Sequence, residues 1–315
     1  MKRRRIKKQV YYVLAGLILF IIVLTFLIKH INYIHSYEYK LSKLGYDSKQ
    51  IEVLLKLDNN NLEDLIKRKY NKNFSSFVKQ KYFIYKNLDR YLSYQKDNKS
   101  EKLSTIVSLV NVNADYDAYD KKIIKDTDIN KKELMLINKY YHLNKDYVPE
   151  DLKDASVMYS YSDNKATLDT LKAFKELWEN ASKNNINLVI TSSYRSYDIQ
   201  DKIWNNYAFR ESDEEADLYV ARAGYSEYQS GLALDITLYK GTKESFKDST
   251  ESKWLQDNAY KYGFILRYPK DKEEITGYDY DQSHYRYVGK KVAKIIHDEK
   301  ITFDEYYAYY IENKD

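Results

Sequence analysis

Two short segments about fifty residues apart contain the side chains best suited to chemistry, residues 226–235 and 281–284. In the first, apolar residues alternate with small or polar ones, which is the period of a strand with one apolar face. The apolar positions are Leu232, Leu234, Ile236 and Leu238. Asp235 therefore lies on the opposite face, and the aromatic run over residues 284–288 predicts a second strand with His284 at its entry. Carboxylate and imidazole groups held on rigid strands are ligand types that zinc prefers.

Three ordered motifs make this arrangement more specific. Residues 226–235 read Ser-x-x-x-x-Gly-x-Ala-x-Asp, and residues 191–196 read Thr-Ser-Ser-Tyr-Arg-Ser. Thr-Gly-Tyr at residues 276–278 precedes His-Tyr-Arg-Tyr-Val-Gly at residues 284–289. Together, over roughly residues 130 to 300, these motifs resemble the VanY-like D-alanyl-D-alanine carboxypeptidases. That family consists of zinc peptidases that remove the terminal D-alanine from peptidoglycan stem peptides.

The resemblance implies a zinc site in which three protein ligands leave one position for water, whose pKa the metal lowers to about 7. Asp235 and His284 hold two ligand positions, and Tyr228 stands at the third, where the family has histidine. Asp281 stands where the family has its glutamate base, and residues 282–283 read Gln-Ser instead of Pro-Trp. A tyrosine side chain ligates zinc as phenolate, or only weakly as the neutral phenol. A displacement of ~1 Å at a reacting carboxylate lowers the reaction rate on the order of 10²-fold. Zinc is therefore the expected cofactor, bound weakly or not at all unless Tyr228 or a nearby group completes its sphere.

The resemblance also implies a substrate site. Arg195 follows a predicted strand over residues 187–191 and is expected to hold the substrate carboxylate or a developing oxyanion, which suits the two-pronged guanidinium. Ser226 is expected to form a hydrogen bond with the substrate. Gln200 begins the next predicted helix and is either a substrate contact or a solvated helix residue.

Three hypotheses for the function follow. The first is a membrane-anchored metallocarboxypeptidase in which Asp281 is the catalytic base and Arg195 assists it. The second is a pseudoenzyme that keeps the groove for the stem peptide but binds metal poorly, and serves as a wall-binding scaffold or regulator. The third is an anchored domain in which Asp235 and His284 are only satisfied polar residues. The ordered motifs favour the first two hypotheses, and metallocarboxypeptidase is the preferred biochemical class.

The charge of the chain is concentrated at its start. The formal net charge is +5, but the first eight residues contribute +6, so residues 9–315 sum to −1. The basic residues therefore predict no nucleic-acid partner for the body of the protein. Because the chain contains no cysteine, disulfides and thiolate ligands are excluded.

The segment that follows these basic residues predicts a membrane anchor. Residues 10–28 contain no charge, and nineteen residues in a helix span about 28 Å, close to the thickness of the hydrocarbon core. The basic flank orients the N-terminus inside and the remainder outside the cell. A cleavable signal peptide is the rival, but residues 29–33 offer no small-x-small cleavage site. The chain is expected to be a single-pass protein of the cell membrane. Its expected partners are the membrane and an extracellular peptidoglycan stem peptide.

The expected fold class is α+β, with a small antiparallel sheet and flanking helices that carry the metal site, preceded by a transmembrane helix and a helical accessory region. Six parts are expected in chain order: a basic cytoplasmic stub (residues 1–9), the anchor (10–28), an accessory or stalk region (29–100), a linking and entry segment (101–154), the VanY-like peptidase domain (155–300), and a C-terminal helix and tail (301–315). The accessory region is expected either to space the enzyme from the membrane, to bind wall polymer, or to be an extension that packs against the main domain.

Apolar spacing predicts the elements that must position the site. A long helix is expected over residues 166–183, against the sheet that carries Asp235. The rise in β-branched residues over 105–112 predicts a further strand. A strand over residues 264–269 and a helix over 289–298 are expected to close the domain.

Overall fold

The structure is a computed structural model that describes residues 8–313, apart from the side chain of Gln9. Most of the predicted cytoplasmic stub therefore lies outside the described residues. The chain divides into two compact units, residues 1–107 and residues 108–315.

The first unit begins with one long apolar helix, α1 (Lys8–His35). Its mean hydropathy reaches 2.7 over the span Val10–His35, and none of that window is buried. The helix continues seven residues beyond the predicted end at residue 28. By length and composition α1 is able to cross a membrane, as an anchor or as a signal sequence.

The rest of the first unit consists of short helices. They are α2 (Tyr37–Leu44), α3 (Ser48–Leu54), α4 (Asn59–Leu65), α5 (Phe74–Val78), a 3₁₀ turn (Tyr85–Asn87) and α6 (Leu88–Asp97). Helix α3 starts in a capping box, where the Asp47 side chain and the Gln50 side chain each accept a hydrogen bond from the backbone of the other residue. The helices bury one apolar set: Leu41, Leu54, Leu65, Phe77 and Tyr91.

The predicted strand over residues 105–112 is wrong, because this segment forms helix α7 (Leu103–Asn111). Its buried residues are Ile106, Val107, Leu109 and Val110. This spacing places one apolar stripe on a helix, and burial of the stripe outweighs the weak preference of β-branched residues for strands.

The second unit is built on a four-stranded antiparallel sheet in the order β5, β6, β8, β7. These strands are β5 (Leu188–Ser192), β6 (Ala233–Leu238), β7 (Phe264–Tyr268) and β8 (Asp281–Tyr287). Two small sheets accompany it, β1 (Lys125–Asp126) with β2 (Tyr141–His142), and β3 (Leu152–Asp154) with β4 (Lys165–Thr167). The predicted α+β class, with a small antiparallel sheet and an apolar N-terminal helix, is confirmed.

One face of the main sheet packs on helix α8 (Leu168–Lys183), which lies where a long helix is predicted. The shared core contains Phe174 and Leu177 from the helix and Leu234, Ile236 and Tyr285 from the sheet. Because strand side chains alternate between faces, the neighbours of these sheet residues point to the opposite side. That opposite side carries Asp235, His284 and Arg286.

The remaining helices surround the sheet. They are α9 (Tyr197–Arg210), α10 (Asp213–Tyr219), α11 (Lys243–Phe246), α12 (Thr250–Asn258), α13 (Glu273–Thr276), α14 (Lys290–Glu299) and α15 (Phe303–Tyr306), which a π-helical turn (Tyr307–Glu312) extends. Strand β8 begins three residues before the predicted entry at His284, so Asp281 also belongs to the strand.

Candidate functional site

The site is built on two neighbouring strands whose register places Asp235 of β6 directly opposite His284 of β8. Side chains at such a cross-strand pair are close neighbours on one face. The Oδ1 atom of Asp235 lies 3.3 Å from Nδ1 of His284, and both residues are 3% exposed. The structure therefore brings together the carboxylate and the imidazole that the sequence indicates as metal ligands.

Tyr228 reaches this pair from the 3₁₀ turn Glu227–Ser230, which precedes β6. The turn ends at Gly231, whose φ of 67° lies in the left-handed region. The Tyr228 hydroxyl donates a hydrogen bond of 2.5 Å to Asp235 Oδ1 and lies 3.0 Å from His284 Nδ1. All three residues predicted as metal ligands thus meet, but they bond directly to one another.

Tyr228 is held as a neutral phenol. Enclosure in the site and the negative charge of Asp235 raise the pKa of the Tyr228 hydroxyl well above its ordinary value, although the Arg195 guanidinium opposes them. Burial alone would raise the pKa of Asp235, but the hydrogen bond from His284 and the charge of Lys243 lower it overall. The proton therefore belongs to the tyrosine oxygen, which uses it to bond the carboxylate.

Lys243, the first residue of α11, occupies the other side of Asp235. Its Nζ lies 3.1 Å from Asp235 Oδ2 and 3.4 Å from Asp281 Oδ2. Oδ1 of Asp281 accepts two further hydrogen bonds from Ser283, from the backbone N–H at 2.8 Å and the hydroxyl at 2.6 Å. The lysine therefore joins the predicted metal ligand to the predicted catalytic base.

Glu227 supports His284 from behind. Its Oε2 lies 3.4 Å from His284 Nε2, while its Oε1 accepts hydrogen bonds from Arg267 at 2.7 Å and from Arg286 at 2.8 Å. Arg267 also donates to Asp304 at 2.6 and 3.1 Å, and both arginines are 0% exposed. A network of opposite charges thus fixes the orientation of the imidazole.

The same network sets the charge of the imidazole. Burial alone would lower the pKa of His284, but the hydrogen bonds and charges of Asp235 and Glu227 outweigh burial and raise it. Burial also opposes ionisation of Glu227, but Arg267 and Arg286 hold the pKa of that carboxyl well below its usual range. The acceptors at the two ring nitrogens therefore favour the charged form of His284.

The predicted substrate residues line one cavity of about 380 Å³ together with Tyr228, Asp235 and His284. The Arg195 guanidinium stacks 3.9 Å from the centroid of the Tyr228 ring and donates to the Ser192 hydroxyl at 2.6 Å. Ser226 is 2% exposed and also lines the cavity. Arg195 and Ser226 are therefore placed where a ligand of the cavity meets them.

Gln200 serves Arg195 through its amide group. Its Oε1 accepts from Arg195 at 3.4 Å, and its Nε2 donates to the Ala221 carbonyl at 2.7 Å. Gln200 is 2% exposed, so it is not a solvated helix residue. This geometry suits a residue that positions the guanidinium.

The histidines outside the motifs do not complete a metal site. His142, in the expected entry segment, lies 3.2 Å from Asp126, and it does not line the cavity. His297 stacks on Tyr260 with 3.8 Å between ring centroids. Over residues 8–313, no group of three or more histidine and carboxylate side chains is arranged to hold a metal ion.

The zinc ion that the family resemblance implies does not fit the donor set of this chain. Ligands at 2.0–2.1 Å from a tetrahedral zinc lie about 3.3 Å apart, whereas the Tyr228 hydroxyl lies 2.5 Å from Asp235. Both oxygens of Asp235 are engaged, by Tyr228 and by Lys243. Both ring nitrogens of His284 face hydrogen-bond partners, and a neutral phenol is a poor ligand. The site is therefore satisfied by its own side chains.

Several residues of the site are missed by sequence reasoning. Arg286 was detectable, because it lies two residues after His284 and a strand places both on one face. Glu227 lies beside Tyr228 inside the motif. Lys243 and Arg267 carry no such signal, since a loop or another strand brings them to the site only in the folded chain.

Comparison with known proteins finds similar carboxypeptidases. Residues 163–290 match the family VanY, described as D-alanyl-D-alanine carboxypeptidase. YodJ of Bacillus subtilis (strain 168), named as a carboxypeptidase, is 39% identical over 222 residues, which cover 68% of this chain and 81% of that protein. The bifunctional D-Ala-D-Ala dipeptidase and carboxypeptidase VanXYC of Enterococcus gallinarum is 35% identical, covering 56% of this chain and 94% of its own. The solved structure of the LD-carboxypeptidase LdcB superposes with a TM-score of 0.56 at 38% identity, covering 61% of this chain and 94% of that chain.

Proposed function

Because the chain belongs to the VanY family of D-alanyl-D-alanine carboxypeptidases, we propose that it acts at the C-terminal end of peptidoglycan stem peptides. The relatives are named as carboxypeptidases. In this chain the arrangement of side chains supports binding of the peptide end better than zinc-dependent cleavage. The observation that carries the proposal is the Tyr228 hydroxyl, which contacts both Asp235 and His284, the two other residues expected as metal ligands.

The peptide carboxylate would bind to Arg195. The guanidinium has five N–H donors, and its contacts with Ser192 and Gln200 use only some of them. These contacts and the ring of Tyr228 fix the side chain at the cavity wall, so little conformational entropy is lost on binding. A two-pronged bond to a carboxylate gives specificity for a free C-terminus.

The membrane supplies the setting. Helix α1 would anchor the protein, with the basic residues before it inside the cell and the cavity outside, where peptidoglycan is found. Peptide binding by a membrane-anchored protein would let it act as a scaffold or regulator at newly made wall.

The second candidate is the metallocarboxypeptidase itself. The separation of 3.3 Å between Asp235 Oδ1 and His284 Nδ1 suits two ligands of one metal, and the relatives carry peptidase names. This function needs the Tyr228 hydroxyl to leave Asp235, and Asp281 to leave Lys243. The contacts of both groups oppose it.

The test is a pair of measurements on the full-length protein in lipid nanodiscs. Binding of a pentapeptide that ends in D-Ala-D-Ala is measured by calorimetry, and release of D-alanine is measured with zinc supplied in excess. We expect binding without release. Release by the unaltered protein, abolished by His284→Ala, would establish the second candidate, whereas failure to bind the pentapeptide in either condition would refute the proposal.

A further inference from the structure

Lys243 stands between the two carboxylates that a zinc peptidase would use for its metal and its base. We infer that Lys243 is a built-in cation that takes the place of the metal, holding Asp235 and Asp281 together and offering a donor to the carboxylate of a bound peptide. The identity of the ligand rests on the proposed function. The inference that Lys243 takes the place of the metal does not rest on the proposed function.

The backbone around Lys243 fixes its position. Thr242 caps helix α11, and its side chain and that of Ser245 form reciprocal hydrogen bonds with the backbone of the other residue. The carbonyl oxygen of Lys243 accepts a hydrogen bond of 3.2 Å from the Gln282 side chain, which belongs to strand β8. The backbone of Lys243 is therefore held both by the cap of α11 and by strand β8.

The charges of the site require a cation at this point. Asp235 is 3% exposed, and a buried carboxylate is costly unless a positive group or hydrogen bonds compensate it. His284 and Tyr228 satisfy Oδ1, which leaves Oδ2 to Lys243. A metal would supply this compensation in a peptidase. Here the chain supplies it, so a zinc ion has to displace an ammonium group as well as a phenol.

The same ammonium group has capacity for a ligand. Lysine has three N–H donors, and the two carboxylates occupy two of them. The side chain is 48% exposed and lines the cavity that Arg195 also lines. A peptide carboxylate or its neighbouring carbonyl entering between these cations would gain a charge-assisted hydrogen bond from each.

Lys247 provides a matched control on the same loop. It lines the same cavity, and within residues 8–313 its side chain forms no ion pair with a carboxylate. Lys243→Met and Lys247→Met remove the same charge and keep a similar chain length. A general effect of positive charge on an anionic peptide would change both variants equally.

The experiment measures two quantities on the full-length protein in nanodiscs, with and without a chelator. Calorimetry gives the Kd for the pentapeptide, and equilibrium dialysis followed by metal analysis gives the zinc bound per chain. The proteins are the unaltered chain, Lys243→Met, Lys247→Met, Tyr228→His and the double variant Tyr228→His with Lys243→Met. Lys243→Gln, which keeps a donor without the charge, is the second variant if Lys243→Met does not fold.

We expect the chelator to leave peptide binding by the unaltered chain unchanged. Loss of the Lys243 charge should raise Kd about tenfold, which corresponds to one charge-assisted hydrogen bond, and clearly more than Lys247→Met raises it. Zinc should bind well below one per chain to the unaltered protein and to Tyr228→His, and close to one per chain to the double variant.

Two results would overturn the inference. One is stoichiometric zinc in the unaltered chain with peptide binding lost in chelator. The other is an equal Kd for Lys243→Met, or for Lys243→Gln, and the unaltered protein. If no variant binds the pentapeptide, the proposed function fails, whereas the zinc stoichiometries still decide whether Lys243 replaces the metal.

Discussion

The hydroxyl of Tyr228 donates a hydrogen bond of 2.5 Å to Oδ1 of Asp235, the carboxylate that the family motif assigns to the metal. A histidine at position 228 would offer a lone pair to a metal, whereas the tyrosine offers a proton to the carboxylate. Tyr228 thus engages one oxygen of Asp235, and Lys243 engages the other. The resemblance to the family is confirmed, and the chain departs from the family pattern at Tyr228.

Tyr228→Phe should destabilise the protein, because it removes a donor to a buried charged acceptor and leaves Asp235 less compensated. We expect the free energy of unfolding to fall by about 1.5–3 kcal/mol, measured by denaturant titration followed by near-UV circular dichroism. Tyr239→Phe is the control, since Tyr239 is 56% exposed and should change stability by less than about 0.5 kcal/mol. Equal stability of both variants would contradict the hydrogen bond.

Glu227→Gln should cost about 3 kcal/mol at pH 6, because the variant leaves Arg267 and Arg286 buried with less compensation. The pKa of Glu227 is lowered in the folded protein, so its stabilisation is present above the unfolded value of about 4.3 and is lost as pH falls through the folded value. The difference between the two proteins should therefore shrink below pH 4.3.

Unfolding titrations between pH 3 and 6 test this pH dependence. Glu214→Gln, at an exposed position of α10, should show no comparable trend. A difference that grows toward low pH would refute the assigned charge of Glu227.

Arg195→Ala should weaken binding of the pentapeptide at least tenfold, since the variant loses the guanidinium that is expected to bind the terminal carboxylate. Arg195→Lys should restore little of the affinity, because an ammonium group cannot form the two-pronged bond. Arg210→Ala is the control, since Arg210 lies at the exposed end of α9. Calorimetry that finds the same Kd for Arg195→Ala and Arg210→Ala would exclude Arg195 as the carboxylate partner.

Gly231→Ala should destabilise the second unit by about 1–2 kcal/mol, because φ of 67° is strained for a residue with a side chain. An added Cβ would also lie 3.2 Å from Leu152 and 3.3 Å from Pro149. Because Gly231 connects the turn of Tyr228 to β6, the variant should also weaken peptide binding. Gly241→Ala, at a glycine without positive φ, is the comparison. An unchanged unfolding midpoint for Gly231→Ala would argue against the strain.

The meeting of Asp235 with His284 was predictable from the sequence because two independent signals agree. The alternation of residues around Asp235 predicts the face of the strand, and the ordered motifs place His284 on a strand of the same domain. If the two strands pair in antiparallel orientation, only their register remains unknown. In the structure this register places Asp235 opposite His284.

The contacts of Lys243 and Asp304 were not predictable, because nothing local marks them. Lys243 follows a loop whose course depends on capping by Thr242, and Asp304 meets Arg267 from 37 residues away. Helix α7 shows the other limit, since a run of β-branched residues indicates a strand until its burial is known. Which side chains compensate a buried charge depends on the folded arrangement and not on their spacing in the sequence.

The link between Arg267 and Asp304 has a consequence for folding during synthesis. Arg267 is wholly enclosed, and Asp304 follows it by 37 residues along the chain. The ribosome therefore delivers the strand that bears this guanidinium before its counterion, so its surroundings cannot close with full charge compensation until Asp304 has been made. A nascent chain interrupted before residue 304 would be left with an undercompensated buried guanidinium and become a substrate for quality-control proteases.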